Sequence, residues 1–553
     1  MMIYHLLNSE INKSMNEEII LGQTKTLTNE LIRLFGGFPW GKPYVNEVES
    51  LEKSLSDPCV LAIAGKVKSG KSCLINALLG VDLAMTGDTE TTATINVFQK
   101  GRPISPELPV LCQWVDGRKE WKPKSFLDSL QGKDSSVLQV TAKIDKLIFF
   151  VEGNPLLEDV ILVDTPGIGA DVGEDGDSHQ IQTDAYFKLR ERHQNETKDL
   201  SKEADAVIYL FNTVPTETDK SFLTALHDGG KGLSALNGVG VLSKIDKNLS
   251  QLENLEKFSK EFESILFTIK PTSAAIDKYL PTLENAQRLR TILRNGFDSK
   301  EWFENALKIE RAFTMDILPH CTIPVEKRCQ LLKDFAPTDL PWSTFKLIAT
   351  ELYNSENVEE TLSKIRNISG IDNLRNLIAN HFFGRSRILR CNRVLADMMR
   401  ILSEIQYSPY FNELEYTAKI KRPCLANCSK LDEPYRSVVI KLIEQNIPDM
   451  DSVQSIQEEI VSFKRRAEDL QFEMADINDC YLAYQKMLSA RSQFSENEFV
   501  ELTDLLNRKE ISCNCRQRQN YWSAVFNMSA PNSIRQVVAG VAKRRYNILT
   551  TNK

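Results

Sequence analysis

Gly65-Lys66-Val67-Lys68-Ser69-Gly70-Lys71-Ser72 sets two glycines, a lysine and a hydroxyl at the spacing G-x-x-x-x-G-K-S. Residues of these types in this order suit an oligophosphate. Gly65 and Gly70 let the backbone wrap close to an anion, and the N–H groups of the turn and of the following helix face it. Lys71 is placed to reach β- and γ-phosphates, and the Ser72 hydroxyl to ligate Mg²⁺. Lys66, Val67, Lys68, Ser69 and Cys73 complete the expected phosphate lining. Asp164-Thr165-Pro166-Gly167 reads as DxxG. There the Asp164 carboxylate would hold the metal's shell through water, and the Gly167 N–H would bond a γ-phosphate. Ser243-Lys244-Ile245-Asp246 reads as a variant of [NT]KxD. Asp246 would accept from guanine N1–H and the exocyclic amine, donors that adenine does not offer in that place. The stem of Lys244 would pack on the base. Pro271-Thr272-Ser273-Ala274-Ala275 then resembles a loop whose backbone meets the guanine oxygen, which adds Ser273 and Ala274.

Two further features bear on catalysis. Glu90-Thr91-Thr92-Ala93-Thr94 offers threonines to cap Mg²⁺ and γ-phosphate, with Thr92 the first candidate and Thr91 the second. After DxxG stands Ile168, where small regulatory GTPases place a glutamine that orients the attacking water. Isoleucine cannot do this. Lys68, in the middle of the phosphate loop, is then a candidate to offset charge developing on the γ-phosphate. Lys68, Lys71 and Thr92 are the expected catalytic residues.

Such loops must leave the ends of strands. Cys59-Val60-Leu61-Ala62-Ile63-Ala64 is a short apolar run ending at a glycine and reads as a buried strand. Similar runs recur at Leu147–Val151, Val160–Val163, Ala206–Phe211 and Val239–Leu242, several of them separated by helical segments. That pattern predicts an α/β fold with a mostly parallel sheet and flanking helices. After about residue 275 the pattern is helical. Near the N-terminus Ile20, Leu27, Leu31 and Leu34 share a helical face that Gly36-Gly37 stops, and Val48, Leu51 and Leu55 mark a second short helix. Ile388, Cys391, Leu395, Met398, Leu402 and Ile405 alternate spacings of three and four. So do Val453, Ile456, Ile460, Phe463, Ala467, Leu470, Met474, Ile477, Tyr481, Tyr484 and Leu488. The second seam predicts a rod of roughly 50 Å. Two seams in one chain favour a helical bundle over an intermolecular coiled coil.

The bulk properties set limits. With 553 residues, two to four domains are expected. A hydrophobic fraction of 42% and a charged fraction of 26% are ordinary for a soluble globular protein. The net charge of −7 gives no electrostatic footprint for nucleic acid. No apolar run approaches the roughly 18 residues of a membrane span. Met1-Met2-Ile3-Tyr4-His5 lacks a leader's basic-then-apolar pattern. A cytoplasmic location is expected, with peripheral contact at the inner face of the cell membrane as an option. The eleven cysteines read as reduced thiols. Cys424/Cys428 and Cys513/Cys515 are the close pairs, and neither has the CxxC spacing that would favour zinc.

Together these residues resemble bacterial dynamin-like GTPases. The phosphate loop continues into Cys73-Leu74-Ile75-Asn76-Ala77-Leu78-Leu79-Gly80, similar to that group's G-x-V-K-x-G-K-S-x-x-x-N-A-L-x-G stretch. Thr89–Thr92, Leu162–Gly169 and Leu242–Asp246 follow in family order. Ser369-Gly370-Ile371-Asp372-Asn373-Leu374-Arg375, leading to His381-Phe382-Phe383, is similar to the family's helix between GTPase domain and neck, and Tyr521–Leu549 to the ends of some members. The resemblance implies N-terminal helices over 1–56 joining a neck bundle, a dynamin-type GTPase domain over 57–385 and a helical neck and stalk over 386–553. It also implies Mg²⁺-dependent hydrolysis of GTP to GDP, a GTP-dependent head-to-head homodimer through the GTPase domain or pairing with a second dynamin-like protein, and membrane remodelling. In the related guanylate-binding proteins an arginine, and in eukaryotic dynamins a serine, stands where this chain has Lys68. No hydrophobic paddle is evident. The stretch Tyr407–Leu431, read as a turn region, holds Tyr407, Tyr410, Phe411, Tyr416, Lys419, Lys421 and Arg422, which suit either a lipid interface or helix-end packing. Lys543-Arg544-Arg545-Tyr546 has the same two readings. The alternative function is a slow GTP-dependent switch that recruits a partner without itself binding membrane.

Overall fold

The computed structural model describes residues 2–37, 41–66, 68–84, 94–130, 137, 140–158, 160–165, 204–212, 214–229, 237–335, 340–382, 385–446, 450–509, 511 and 513–551. Internal contacts divide the chain into one unit of Pro58–Gly384 and another formed by Met1–Asp57 with Arg385–Lys553.

The first unit is built on a nine-stranded sheet. Its strands are β1 (Cys59–Gly65), β2 (Ile95–Lys100), β3 (Val110–Trp114), β4 (Lys119–Lys122), β5 (Ile144–Val151), β6 (Val160–Asp164), β7 (Ala206–Phe211), β8 (Gly238–Leu242) and β9 (Thr268–Pro271). Their order is β4-β3-β5-β2-β6-β1-β7-β8-β9. From β6 to β9 all neighbours are parallel. β2 and β5 are parallel to each other, but β2 meets β6 antiparallel and β3 meets both β5 and β4 antiparallel. The sheet is therefore mostly parallel, as expected, with an antiparallel margin. Leu61, Ala62, Ile63 and Ala64 are fully buried, because β1 is covered on both faces, and such strands read as unbroken apolar runs.

β2, β3, β4 and β9 escape the sequence reading. β2 mixes Asn96 and Gln99 with its apolar residues, and β4 is Lys-Glu-Trp-Lys. The β3–β4 hairpin turns on Asp116-Gly117, where Gly117 has φ 85° and the Asp116 carboxylate accepts from the Arg118 N–H at 3.0 Å. Beyond β9, helices Leu283–Gly296, Lys300–Ala306, Trp342–Asn354 and Val358–Ser369 close a separate core around Phe303, Phe313 and Phe345.

The second unit is helical. Helices Met2–Gly36, Lys42–Ser54, Ser386–Gln406, Pro409–Cys428 and Met450–Ser489 share one core. Ile388, Cys391, Leu395, Met398, Leu402 and Ile405 are all buried in it, against Ile20, Leu27, Leu31 and Phe35 and against Val453 to Met474. The two seams thus meet within one chain. The second seam does not continue to Leu488. From Cys480 onward the buried positions are Cys480, Ala483 and Met487, while Leu488 is exposed, because the helix changes partners. Its last turns pack in a second core with Leu502, Leu505, Trp522, Val538 and Tyr546, from helices Glu496–Leu506, Cys515–Met528 and Ile534–Thr551.

Both suggested lipid clusters are altered by the packing. Tyr407–Leu431 is not a turn region: its residues 409–428 form a helix in which Phe411 and Lys421 are buried, while Tyr407 and Tyr416 stay exposed. Arg545 bonds Asp476 at 3.1 Å, Arg544 bonds Asp479 at 2.6 Å, and the fully buried Tyr546 donates its hydroxyl to Glu501 at 2.7 Å. These side chains tie helices together. Among the described residues no helix is long and apolar enough to cross a membrane, and no group of three or more His, Cys, Asp or Glu is placed to hold a metal ion.

The second core also has a pH-sensitive tie. Ser495 and Glu498 form a capping box, and Glu498 further accepts from Tyr521 at 2.8 Å and Arg535 at 2.6 Å. Burial pushes the Glu498 carboxyl up. The bonds from Arg535, the Ser495 N–H and Tyr521 outweigh it and hold the group at about 2, below its ordinary 4.5. A depressed carboxyl contributes stability above its unfolded value and loses it as pH falls toward the folded one. Glu498→Gln is therefore expected to lower the melting temperature by a few degrees at neutral pH, for a loss of about 1–3 kcal/mol. The difference from wild type should shrink as pH drops from 4.5 toward 2. A difference in thermal melts that does not vary with pH would remove Glu498's charge from this role.

Candidate nucleotide site

Because β6, β1, β7, β8 and β9 run the same way, the loops after them leave one edge of the sheet, where open α/β sheets take their ligands. The phosphate loop follows β1, Asp164 ends β6, Ser243 follows β8 and Thr272 follows β9. The register sets Ile63 beside Asp164 and Leu242 beside Pro271. Gly65 has φ 155°, and a Cβ there would sit 2.7 Å from the Leu210 carbonyl. Gly70 has φ 95° and opens the helix Lys71–Leu79. Lys68 is left-handed at φ 62°, a conformation that costs a non-glycine residue about 1–2 kcal/mol, and its side chain is exposed.

At the phosphate end, Lys71 folds back over the loop and donates to the carbonyls of Gly65 at 3.3 Å and Lys66 at 3.4 Å. Burial lowers its pKa, against the attraction of Asp164. Asp164 is fully buried, and neither carboxylate oxygen has a hydrogen-bond partner among the described residues. Burial pushes its carboxyl up to about 6, although Lys71, Asn96 and Ser72 lie near enough to favour its charge. A buried carboxylate left unsatisfied is costly. An orphaned carboxylate beside a serine hydroxyl is the donor set that a hard divalent cation takes, so Asp164 and Ser72 fit Mg²⁺. The Ser69 hydroxyl is also buried and without a partner among the described residues.

At the base end, Asp246 lies just past β8 and is 8% exposed. Its Oδ1 accepts from Ser273 at 2.6 Å, and its Oδ2 from Ser343 at 2.7 Å and Thr344 at 3.1 Å. Ser273 also caps the helix Ala274–Lys278. Lys244 is left-handed at φ 58° and donates its amine to the Lys68 carbonyl, which ties the base loop to the phosphate loop. Ser243, in the place of the usual Asn or Thr, points its hydroxyl at the Ser69 carbonyl at 2.7 Å and the Phe211 carbonyl at 2.8 Å.

The structure thus brings Gly65, Ser69, Gly70, Lys71, Ser72, Asp164, Ser243, Lys244, Asp246, Ser273 and Ala274 to the ends of β1, β6, β8 and β9. Lys66 differs: its amine turns aside to Thr216 at 2.7 Å and Asp219 at 3.4 Å, leaving only its backbone for an anion. Cys73 is exposed, close to Lys244 and Lys278, with its thiol pushed up by burial of its surroundings. Val67, Thr91, Thr92, Gly167 and Ile168 lie outside the described residues.

Several supporting residues stood in the family-like stretches without a role that the sequence could give them. The Asn76 side chain pins the chain after its helix, accepting from the N–H groups of Leu83 at 3.0 Å and Ala84 at 2.7 Å. Arg375 donates to the carbonyls of Leu78 and Ala77 at the end of that helix. Gly370, at φ 69°, lets the Pro271 carbonyl come within 2.1 Å of where a Cβ would stand, and the neighbouring Ser369 carbonyl accepts from the Ser273 N–H at 2.8 Å. His381, in the short π-helical turn Ile378–Phe382, stacks on Phe267 with ring centroids 3.9 Å apart.

The sheet-edge loops, their order and the orphaned carboxylate coincide with a family match: residues 61–244 match the dynamin family. This segment of the chain is a dynamin-family GTPase domain. It is 25% identical over 389 residues to the isoniazid-induced protein IniC of Mycobacterium tuberculosis, covering 66% of this chain and 71% of that protein. Over 137 residues it is 32% identical to Dynamin-like protein 2 of Campylobacter jejuni, covering 23% of this chain and 19% of the other. Among solved structures, a member of an oligomerised bacterial dynamin pair described as sensing and tethering membranes aligns with 88% of this chain and 95% of its own at 14% identity, with a TM-score of 0.32. The matched segment holds Lys71, Asp164 and Lys244; Asp246 lies two positions past it, and its hydroxyl partners Ser273, Ser343 and Thr344 come from further along the chain.

Proposed function

We propose that the enzyme binds GTP with Mg²⁺ between the phosphate loop, Asp164 and Asp246, and hydrolyses it within a homodimer formed through the GTPase domain. The observation that carries this is Asp164: fully buried, without a well-formed hydrogen bond at either oxygen among the described residues, and set beside Lys71, Asn96 and Ser72 at the strand ends. Lys71 would leave the carbonyls of Gly65 and Lys66 for the phosphates. Ser72 would ligate the metal and Asp164 hold its water shell, with Thr92 and the Gly167 N–H completing the γ-phosphate contacts. The metal's chemistry is to neutralise phosphate charge as it develops. Asp246 selects guanine, the stem of Lys244 covers the base, and Ser273 and Ala274 present backbone to the guanine oxygen. Lys68, exposed and left-handed, is placed to add positive charge from the loop.

Ile168 cannot orient water, so the reading places the completion of the site in the dimer. Phosphate release per molecule is expected to rise several-fold as protein concentration passes through the dimerisation range. A rate per molecule that stays flat, with dimers seen by light scattering, would reject assisted catalysis.

The action on membranes has two readings. Exposed Tyr407, Tyr416 and Tyr435 support peripheral lipid contact by helices 409–428 and 435–446. The internal pairing of Arg544 and Arg545, and the burial of Lys421, support instead a GTP-dependent switch that recruits a partner, such as a second dynamin-like protein. Sedimentation with anionic liposomes separates them: GTP-dependent pelleting carries the first, and its absence carries the second.

A further inference from the structure

Asp246 has more donors on it than guanine binding can tolerate. A carboxylate offers about four lone-pair positions, two on each oxygen. Ser273 takes one on Oδ1, at 2.6 Å; Ser343 and Thr344 take both on Oδ2, at 2.7 and 3.1 Å. Guanine brings two N–H groups to this carboxylate, one to each oxygen. Oδ1 has a place left and Oδ2 has none, so one hydroxyl must leave Oδ2 when the base arrives. Thr344 is fully buried and cannot easily turn away, whereas Ser343 is only half-buried, with water at hand to receive its hydroxyl. Both residues lie in the first turn of the helix Trp342–Asn354, which packs among the aromatic residues around Phe345. They come from nearly 100 residues beyond Asp246 in the chain.

We propose that Ser343 is a specificity-site residue that holds the guanine-reading carboxylate when no nucleotide is present and is displaced by the base, while Thr344 and Ser273 remain as its fixed supports. The inference rests on the reading of Asp246 as the guanine selector. The Ser343 hydroxyl fills the second place on Oδ2 of this buried carboxylate, and every guanine nucleotide must displace a hydrogen bond to enter. Removing the Ser343 hydroxyl therefore strengthens binding, which is opposite to the effect of losing a structural contact.

The test is titration of nucleotide-free, full-length protein with a fluorescent N-methylanthraniloyl-GDP in Mg²⁺. Ser343→Ala is expected to bind roughly three- to tenfold more tightly than wild type, the worth of one hydrogen bond to a charged group less what water restores. Thr344→Ala is expected not to tighten. Ser343→Cys, whose thiol is only a weak donor, serves as a second variant should the alanine protein fold poorly. Unchanged or weaker binding by the Ser343 variants, or equal tightening by Thr344→Ala, overturns the proposal. Asp246→Asn, measured alongside with GDP and xanthosine diphosphate, separates two kinds of failure. If it reverses base preference while Ser343→Ala does not tighten, only the displacement idea fails. If it leaves base preference as it was, the reading of Asp246 fails as well.

Discussion

Lys71→Ala is expected to lose GTP and GDP affinity by at least about a hundredfold and to show no measurable turnover. Two charge-assisted contacts to phosphate are at stake, each worth roughly 1.5–3 kcal/mol. The variant should not be unstable. The Lys71 amine is buried on two carbonyls, and burial lowers its pKa, so the folded state holds a desolvated cation at some cost. Alanine removes that cost, though it also takes a cation away from Asp164. The nucleotide-free melting temperature should therefore move little, while the upward shift that GTP and Mg²⁺ give the wild type disappears. Thermal melts with and without nucleotide check both parts. A variant with wild-type affinity would remove Lys71 from the phosphate site.

The second large effect is on base choice. Asp246→Asn is expected to weaken GTP by about a hundredfold or more and to favour xanthosine triphosphate, whose carbonyl can accept where guanine's amine donates. The change is harsher here than at an open site. Asparagine keeps one acceptor oxygen and replaces the other with a donor, yet hydroxyls from Ser273, Ser343 and Thr344 already donate to this side chain. At least one of them must turn round and accept. Competition against a fluorescent nucleotide by GTP, XTP and ATP reads the outcome directly. An unchanged preference for GTP would show that Asp246 does not read the base.

Much of this site was legible because its motifs are contiguous and sit after apolar runs. β1, β6, β7 and β8 are buried on both faces, so nothing in their sequences alternates, and the loops after β1, β6 and β8 carry the nucleotide motifs in order. β4 is the edge strand and is only partly covered, while β2, though interior, sets polar Asn96 and Gln99 among its apolar residues, so local pattern marks neither. The supports were hidden for another reason. Ser343, Thr344 and Arg375 act on residues about 100 to 300 positions away, and a serine in a first helical turn looks like any other. The turn of the Lys66 amine away from the loop was hidden for the same cause: its partners Thr216 and Asp219 come from after β7. In the helical unit, a basic run near the C-terminus invites an electrostatic reading until Asp476 and Asp479 are seen across from it.

The helix Met450–Ser489 takes part in two cores, with Val453 to Met474 in one and Cys480 to Met487 in the other. No proline or glycine interrupts it, so at 1.5 Å per residue it is a continuous strut of about 60 Å. A helix without a break bends gently but does not fold over. It therefore acts as a torsion bar. A turn imposed on the first core must either rotate the second with it or strain the short stretch between Met474 and Cys480, where Ile477 is only partly buried. Inserting a glycine pair there would uncouple the two cores mechanically while leaving each with its own packing.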